Sequence, residues 1–443
     1  MTTLQSRPIL GPFRAFRHSA QARQNPIHPA IIYFSDLETN LLDKENGADF
    51  EKNWNTLTHI GANPSDLVMA LNRSTNFFLS KNKGNLQDQE LAHNGTNYLS
   101  KNLGIWESAA LKKIPSFTLQ NLIVTMRSCA ALETLPSTSL IKSMEKRAIA
   151  LMKNSDEAKN NSFITGFLKS YAKLGLRPST PWLEAWEGII TQQISKLKTQ
   201  QLTDIFQGYA DLGLCPPPEL TEELKDRALQ IANSLDSVQV LIHLRACAIL
   251  HCISADERFR EIAQTMHRKI QPENLRSAIE INQYRQGSLW FDWPCLIEPE
   301  PQEETISGLE KSLAIAFQCS GISLTRKDYI VPRMGHRVDI TIDGKHPILV
   351  EVDGPTHFVL DIDDEGNYVM GGYNGSTLFQ TALMEKCTDD NISIIRAPFD
   401  TVKRLTQDPN PLRRKRLILD LLSSAQHGST YILEADRLQP FMN

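Results

Sequence analysis

Three carboxylates near the C-terminal end are spaced so that two neighbouring β-strands would bring them together. Asp339 alternates with apolar residues in 337–343, and Glu351 and Asp353 do the same in 347–353. An alternation with a period of two places such side chains on one face of a strand. Clustered carboxylates bind hard cations such as Mg²⁺, which activates water and stabilises a phosphoryl transition state. The pattern therefore predicts a divalent-cation site.

Two further residues belong to this predicted site. Glu310, on a helix predicted over 306–318, would supply a fourth oxygen ligand. His357 would lie at the mouth of the site, because Gly354 and Pro355 end the second strand sharply. If the site cleaves nucleic acid, the catalytic groups would be Asp339, Glu351, Asp353 and His357. The alternative is a solvated strand face without a metal, with His357 in a structural hydrogen bond.

The elements that must position these residues form a compact α/β unit in the sequence pattern. Besides the first helix and the two strands, we predict a strand over 328–332, a glycine-rich loop near 365–376, a helix over 376–387, a strand over 391–397 and a helix over 411–424.

The octapeptide that begins at Glu351 and ends at Phe358, EVDGPTHF, resembles the signature of the RAP domain. The segments 338–340 and 375–377 resemble its flanking motifs, and the likeness covers roughly residues 305–425. The resemblance implies a restriction-endonuclease-like fold, similar to the PD-(D/E)XK nucleases and their mismatch-repair type. It also implies a role in RNA processing.

Two positions depart from the nuclease pattern. Asp353 stands where the motif has a lysine that positions the attacking water, and Gln380 stands where the family commonly has a further lysine. Lys386 is the nearest substitute, but it lies two helical turns away. We expect these departures to affect cleavage more than binding.

Four segments in the middle of the chain share one pattern: 121–136, 163–178, 201–216 and 239–254. Tyr171 recurs 38 residues later as Tyr209, and Gly175 recurs as Gly213. Apolar residues follow a helical period in each unit, and glycine or proline ends the helix. The pattern predicts αα-hairpins that stack into an α-solenoid, in which the tyrosines pack between units. These repeats resemble octotricopeptide repeats, which bind RNA and commonly precede a RAP domain.

A repeat array that reads RNA presents polar side chains at equivalent positions of successive repeats. The candidates in the first helices are Arg127, Lys169, Gln207 and Arg245. A second group of RNA-binding candidates is the basic run of Arg413, Arg414 and Arg416, which would contact phosphates. For both groups the alternative is an ordinary solvated helix face.

The composition favours a soluble globular protein in a reducing compartment. The seven cysteines are odd in number, scattered and without a C-x-x-C pair, which argues against disulfides and zinc. No apolar stretch predicts a membrane-spanning segment. The net charge of −4 is unusual for a nucleic-acid binder, but residues 1–35 contain four arginines and no acid.

Together these patterns predict a mainly α fold: a basic N-terminal tail or targeting segment (1–40), an α-solenoid (41–286), a linker (287–304) and a RAP-like α/β domain (305–443). The predicted function is binding of single-stranded RNA in processing, stability or translation, in the cytoplasm, a mitochondrion or a chloroplast. Protein partners are also expected, and Mg²⁺ is the only cofactor suggested.

Three alternatives stay open at the level of the sequence. The first is a Mg²⁺-dependent endoribonuclease that uses the carboxylate cluster. The second is an α-solenoid scaffold that binds proteins, which the acidic overall charge would suit. The third is a secreted bacterial effector delivered into a host cell, which rests on the arginine-rich start of the chain.

Overall fold

The computed structural model describes residues 63–81, 104–154, 164–295, 297, 306–324, 329–425, 429–434 and 437–440. The predicted tail (1–40) lies outside these residues, and so do residues 296 and 298–304 of the predicted linker. The described chain is mainly helical and ends in a small sheet region, as the sequence predicts.

Eleven helices lie in the described residues before 297. They are α1 (Pro64–Lys81), α2 (104–113), α3 (Leu119–Ala131), α4 (Thr138–Asn154), α5 (Thr165–Leu174), α6 (Thr180–Gln193), α7 (Thr199–Leu212), α8 (Pro218–Ile231), α9 (Ser237–Ser254), α10 (Glu257–His267) and α11 (Ala278–Trp290).

These helices alternate between two layers. Helices α1, α3, α5, α7, α9 and α11 pack side by side in chain order and form what we call the first layer. Helices α4, α6, α8 and α10 pack in the same order in the second layer. Short 3₁₀ turns return the chain from the second layer to the first, at Ile114–Ser116, Ile194–Lys196, Ala232–Ser234 and Pro272–Asn274.

Local sequence signals explain where the first-layer helices begin and end. Gly175 and Gly213 end α5 and α7 with φ of 62° and 66°, a left-handed conformation that costs glycine little. Helices α3, α9 and α11 begin with capping boxes. In each, the side chain of the capping residue accepts from the amide three residues later, and the side chain of that later residue accepts from the amide of the capping residue. The pairs are Thr118 with Asn121, Asp236 with Gln239, and Ser277 with Glu280.

The repeated tyrosines belong to the core, as predicted. Tyr171 and Tyr209 are fully buried. The Tyr171 hydroxyl donates to Glu145 Oε1 at 3.0 Å, and the Tyr209 hydroxyl donates to Glu187 Oε1 at 2.6 Å. Each glutamate lies on the preceding second-layer helix, so both rings bridge the two layers in the same way.

The C-terminal part combines four helices with two small sheets. The elements are α12 (Gly308–Cys319), β1 (Ile340–Ile342), β2 (Ile348–Asp353), β3 (Phe358–Ile362), β4 (Tyr368–Tyr373), α13 (Gly375–Cys387), β5 (Ser393–Pro398), α14 (Phe399–Gln407), α15 (Pro411–Ser424), β6 (Thr430–Glu434) and β7 (Arg437–Pro440).

The larger sheet has the order β1-β2-β5-β6-β7. Its inner pairs, β2 with β5 and β5 with β6, are parallel, while β1 and β7 join antiparallel at the edges. Strands β3 and β4 form a separate antiparallel hairpin. One face of β2 carries Val350, which belongs to a core shared with Leu313 of α12, Val402 of α14 and Ile418 of α15.

Several predicted elements differ from the structure. The loop predicted near 365–376 contains β4, which pairs with β3. In the described part of the predicted strand 328–332, Ile330 forms a single bridge to Arg337. Helix α10 ends at His267, and α11 continues to Trp290, inside the predicted linker. Helix α14 and strands β6 and β7 were not predicted.

The C-terminal part packs directly on the first layer. Helix α13 contacts α7, α9 and α11. Leu360 of β3 exchanges backbone hydrogen bonds with the turn after α5: its amide donates to Gly175 O at 2.6 Å, and Arg177 N donates to Leu360 O at 2.9 Å. The Tyr368 hydroxyl donates to Pro136 O at 2.6 Å. The two parts therefore share one continuous core.

One helix among the described residues, Ser237–Ser254, is long and apolar enough to cross a membrane by length and composition alone. It is α9, and over half of it is buried in the protein. Because α7, α11 and α13 pack around it, its apolar composition fits the central helix of the core.

Candidate functional site

A buried arginine joins the two carboxylates of β2. Arg396 of β5 lies opposite Glu351 in the parallel register, and its side chain is fully buried. Its Nε donates to Asp353 Oδ2 at 2.9 Å, and its Nη2 donates to Asp353 Oδ1. Its Nη1 lies 3.8 Å from Glu351 Oε2. This pairing compensates the charges that burial removes from water.

Each of these carboxylates also holds a histidine. His336 Nε2 lies 3.1 Å from Glu351 Oε1, and His357 Nδ1 lies 3.2 Å from Asp353 Oδ1. A carboxylate at this distance fixes the tautomer and the orientation of an imidazole. Two histidine–carboxylate pairs therefore lie side by side on the face of the sheet that carries Leu349, which belongs to the core of the first-layer helices.

The hairpin and the first turns of α13 complete this cluster. The Tyr373 hydroxyl donates to Asp353 Oδ2 at 3.1 Å. Thr377 Oγ1 lies 3.2 Å from His357 Nδ1, and Gln380 Nε2 lies 3.2 Å from His336 Nδ1. Asn374 caps α13 by accepting from the Thr377 amide. The cap thus fixes the helix that carries two contacts to the histidines.

Asp339 lies at the edge of the cluster, where its Oδ2 accepts a hydrogen bond from Val352 N at 2.7 Å. Burial, with the nearby charges of Glu351 and Glu310, raises the pKa of Asp339 to about 7. The pKa of Glu351 is lowered: burial acts to raise it, but the hydrogen bond to His336 and the charge of Arg396 outweigh burial. The two neighbouring carboxyls thus differ in protonation near neutral pH.

The predicted metal ligands do not assemble. No three histidine, cysteine, aspartate or glutamate side chains in the described residues are arranged to hold a metal ion. Asp353 is turned to Arg396, and Glu351 is turned to His336 and Arg396. Glu310 caps α12 through Ser307 and pairs with Arg337 at 4.0 Å. Arginines therefore pair with Asp353 and Glu310, and the four-carboxylate Mg²⁺ site stays a prediction.

Lys386 does not replace the missing nuclease lysine. Its Nζ donates to Trp290 O at 2.6 Å and pairs with Asp292 Oδ2 at 2.7 Å. These contacts tie the end of α13 to the end of α11, away from the two histidine pairs.

Three of the four RNA-reading candidates lie in one line of polar contacts across the first layer. Lys169 of α5 pairs with Asp204 of α7 at 2.7 Å. Gln207 hydrogen bonds to Asp211, also on α7. Arg245 of α9 lies 3.8 Å from Asp211. We call these five residues the polar ladder.

The polar ladder ends against the C-terminal part. Arg245 Nη2 donates to Ser376 Oγ on α13 at 2.9 Å, and its Nε donates to Gln286 of α11 at 3.4 Å. Arg127, the fourth candidate, lies beside Gly166 of α5, at the other end of the row. The structure therefore brings the ladder within one residue of Thr377, which contacts His357.

The basic run lies elsewhere. Arg413 and Arg416 are 72% and 86% exposed, on a helix that packs against the opposite face of the sheet. Arg414 is half-buried, and its Nη1 donates to Thr406 O at 3.0 Å. These arginines and the two histidine pairs are therefore on different sides of the sheet.

Arg396, Tyr373 and Thr377 were not among the site residues predicted from the sequence. Arg396 is the one charged residue in the apolar strand SIIRAP, and a charge in a central strand demands a buried partner. That signal was available. The partners of Tyr373 could not be predicted, because the sequence predicts a loop where the structure has β4.

A search of protein-family models finds no match to this chain, and a search of curated proteins finds none either.

Proposed function

We propose that this chain is an RNA-binding protein that acts in RNA processing, stability or translation. Helices α3 to α9 form an α-solenoid of octotricopeptide-like repeats that selects single-stranded RNA. The RAP-like C-terminal domain contacts the RNA backbone or a bound end. The observation that carries the proposal is the polar ladder, because it connects successive helices and ends at the C-terminal domain.

Recurring contacts support the interpretation of the helix pairs as repeats. Arg147 of α4 donates to Phe117 O at 3.0 Å, and Arg227 of α8 donates to Leu197 O at 3.1 Å. The two arginines are 80 residues apart, and so are the two carbonyls. Together with the tyrosine–glutamate pairs, these contacts describe one unit used more than once.

The ladder supplies groups suited to reading unpaired bases. Guanidinium, ammonium and amide groups donate to base edges and phosphates, while carboxylates accept from amino groups. Since Asp204 and Asp211 compensate Lys169 and Arg245, the ladder itself carries little net charge. Binding there would depend on hydrogen bonds, and the exposed arginines of α15 would add attraction for a longer strand.

Fluorescence anisotropy with a randomised single-stranded RNA pool tests the proposal. We expect salt-sensitive binding, and we expect Lys169→Ala with Gln207→Ala to weaken it about tenfold or more, since two hydrogen-bonding groups are lost. Lys153→Ala is the matched control, because Lys153 is exposed at the end of α4 in the second layer.

Equal loss of affinity in the double variant and the control would remove the ladder from the proposal. Absence of RNA binding at low salt would overturn the proposed function and favour the protein-binding scaffold instead.

A further inference from the structure

The C-terminal site has a layered arrangement of charge. Beneath lie Glu351, Asp353 and Arg396, whose side chains are 6%, 1% and 0% exposed. Above them, His336 and His357 keep 20% and 34% of their side chains exposed. Burying two carboxylates and a guanidinium costs free energy. The buried carboxylates hold the two accessible imidazoles in place. Such arrangements are concentrated at functional sites.

The spacing and the hydrogen bonds give each imidazole a separate role. Glu351 and Asp353 are two residues apart on β2, which separates their backbones by about 6.6 Å. His357 Nδ1 contacts Asp353 and Thr377, so Nε2 is the nitrogen turned away from those partners. His336 Nε2 contacts Glu351, and the Gln380 side-chain amide lies against the His336 ring, 3.0 Å from Nε2 and 3.2 Å from Nδ1.

Helix α13 links this site to the proposed RNA path. Ser376 contacts Arg245 at the end of the polar ladder, the next residue contacts His357, and Gln380 contacts His336. An RNA strand that leaves the polar ladder along the first turn of α13 would therefore reach both imidazoles.

We propose that His336 and His357 form a metal-independent ribonuclease site that cleaves RNA by transesterification at the 2′-hydroxyl. This inference rests on the proposed RNA binding and adds an activity to it. His357 Nε2 takes the proton of the 2′-hydroxyl as the 2′-oxygen bonds to phosphorus. The bond between phosphorus and the 5′-oxygen breaks, and that oxygen takes a proton from the His336 ring. The products are a 2′,3′-cyclic phosphate and a free 5′-hydroxyl.

The groups around the two histidines suit His357 as the general base and His336 as the general acid. Burial lowers the pKa of His357, although Asp353 opposes the effect, which keeps the ring neutral and able to accept a proton. His336 Nε2 lies 3.1 Å from Glu351 Oε1, which fixes the orientation of the ring. Glu351, Asp353 and Arg396 are positioning residues, because they are buried and act through the imidazoles.

The test is a cleavage assay on the full-length protein with a short random RNA, in EDTA. We expect products that end in a 2′,3′-cyclic phosphate, and no cleavage of the same RNA with 2′-O-methyl groups. His336→Gln and His357→Gln should each lower the rate by about 10²-fold or more. His251→Gln is the matched control, a partly buried histidine that hydrogen bonds to Trp290.

A positioning role has its own readout. Asp353→Asn should lower kcat and change its pH profile, whereas partial unfolding would lower the active fraction and leave the shape of the pH profile unchanged. Imidazole added to His357→Ala should restore part of the rate, which a purely structural histidine would not allow.

Binding of RNA without cleavage would overturn this inference and leave the proposed function standing. Cleavage that EDTA abolishes, products with a 3′-hydroxyl, or full activity in both glutamine variants would also overturn it. If no RNA is bound or cut, both proposals fail together. If a histidine variant does not fold, the chemical ends of the RNA products made by the wild-type protein still show whether cleavage occurs by transesterification.

Discussion

Arg396 is the residue on which the C-terminal site depends most. It is fully buried, donates twice to Asp353 and lies next to Glu351. A buried ion pair contributes little net stability, but the loss of one partner leaves an uncompensated charge. The main effect of Arg396 is therefore that it allows Glu351 and Asp353 to be buried as charged groups.

We expect Arg396→Met to lower the free energy of unfolding by about 3–5 kcal/mol, because Asp353 is left buried without its partner. Chemical denaturation measures the change. The double variant Arg396→Met with Asp353→Asn should lose less than the sum of the single variants, since it removes the charge as well as its partner. Strict additivity would show that the pair is not coupled. Arg404→Met, at an exposed arginine, is the control.

The raised pKa of Asp339 predicts a pH-dependent effect of its substitution. Burial and Glu351 raise its pKa to about 7 in the folded protein, while unfolding returns it to its ordinary value of 3.8. The folded state therefore holds a proton that the unfolded state has lost, and stability falls as the pH rises from about 4 to about 7.

Asp339→Asn should consequently raise the thermal midpoint at pH 8 by a few degrees and change it little at pH 4. Asparagine also keeps an oxygen that accepts from Val352 N. Thermal unfolding at the two pH values is the measurement, and Asp364→Asn, at an exposed hairpin position, is the control. An equal shift at both pH values would contradict the account.

At the scale of elements, α13 is held to α7 by an approach that only glycine permits. A Cβ added at Gly375 would lie 1.8 Å from Ala210 O, and one added at Gly213 would lie 3.1 Å from Gly375 N. The backbone of one helix thus rests directly on the end of the other. This contact places Ser376 and Thr377 between the ladder and the histidines.

Gly375→Ala should separate α13 from α7 and destabilise the protein by about 1–3 kcal/mol, as overpacking does in cores. Gly188→Ala is the matched control: nothing lies within 4 Å of its added Cβ, so the better helix propensity of alanine should stabilise α6 by up to about 1 kcal/mol. Thermal unfolding compares the two. Similar changes in both variants would show that the contact at Gly375 is unimportant.

Elements with a regular apolar period were predictable, and those set by long-range pairing were not. The alternation around Val350 located β2 and its two faces, and the glycines located the ends of α5 and α7. By contrast, β4 is exposed on much of its length and pairs through its backbone, so its sequence lacks the alternation of a half-buried strand. The site was predictable only in part, because Arg396 reaches Asp353 through the register of β5 on β2.

At the scale of the whole molecule, the helices and the C-terminal domain are not separate bodies. Phe379, Leu383 and Met384 of α13 belong to the same buried cluster as the first-layer helices. A domain boundary was expected from the change in sequence pattern after residue 287, yet α11 crosses it and the packing is continuous.

We therefore expect the two parts to unfold in one transition. In hydrogen–deuterium exchange at increasing denaturant, peptides from β2 and β5 should lose protection at the same concentration as peptides from α7 and α9. Loss of protection in the sheet at a clearly lower denaturant concentration would contradict a shared core.

The central claim is that RNA lies along the polar ladder and reaches α13. Ultraviolet crosslinking of the intact protein to a random single-stranded RNA, followed by mass spectrometry of the crosslinked peptides, tests it most directly. The account predicts crosslinks on α5, α7 and α9 near Lys169, Gln207 and Arg245, and on the first turns of α13. Crosslinks confined to the second-layer helices or to residues 1–40, or no crosslinks at all, would contradict it.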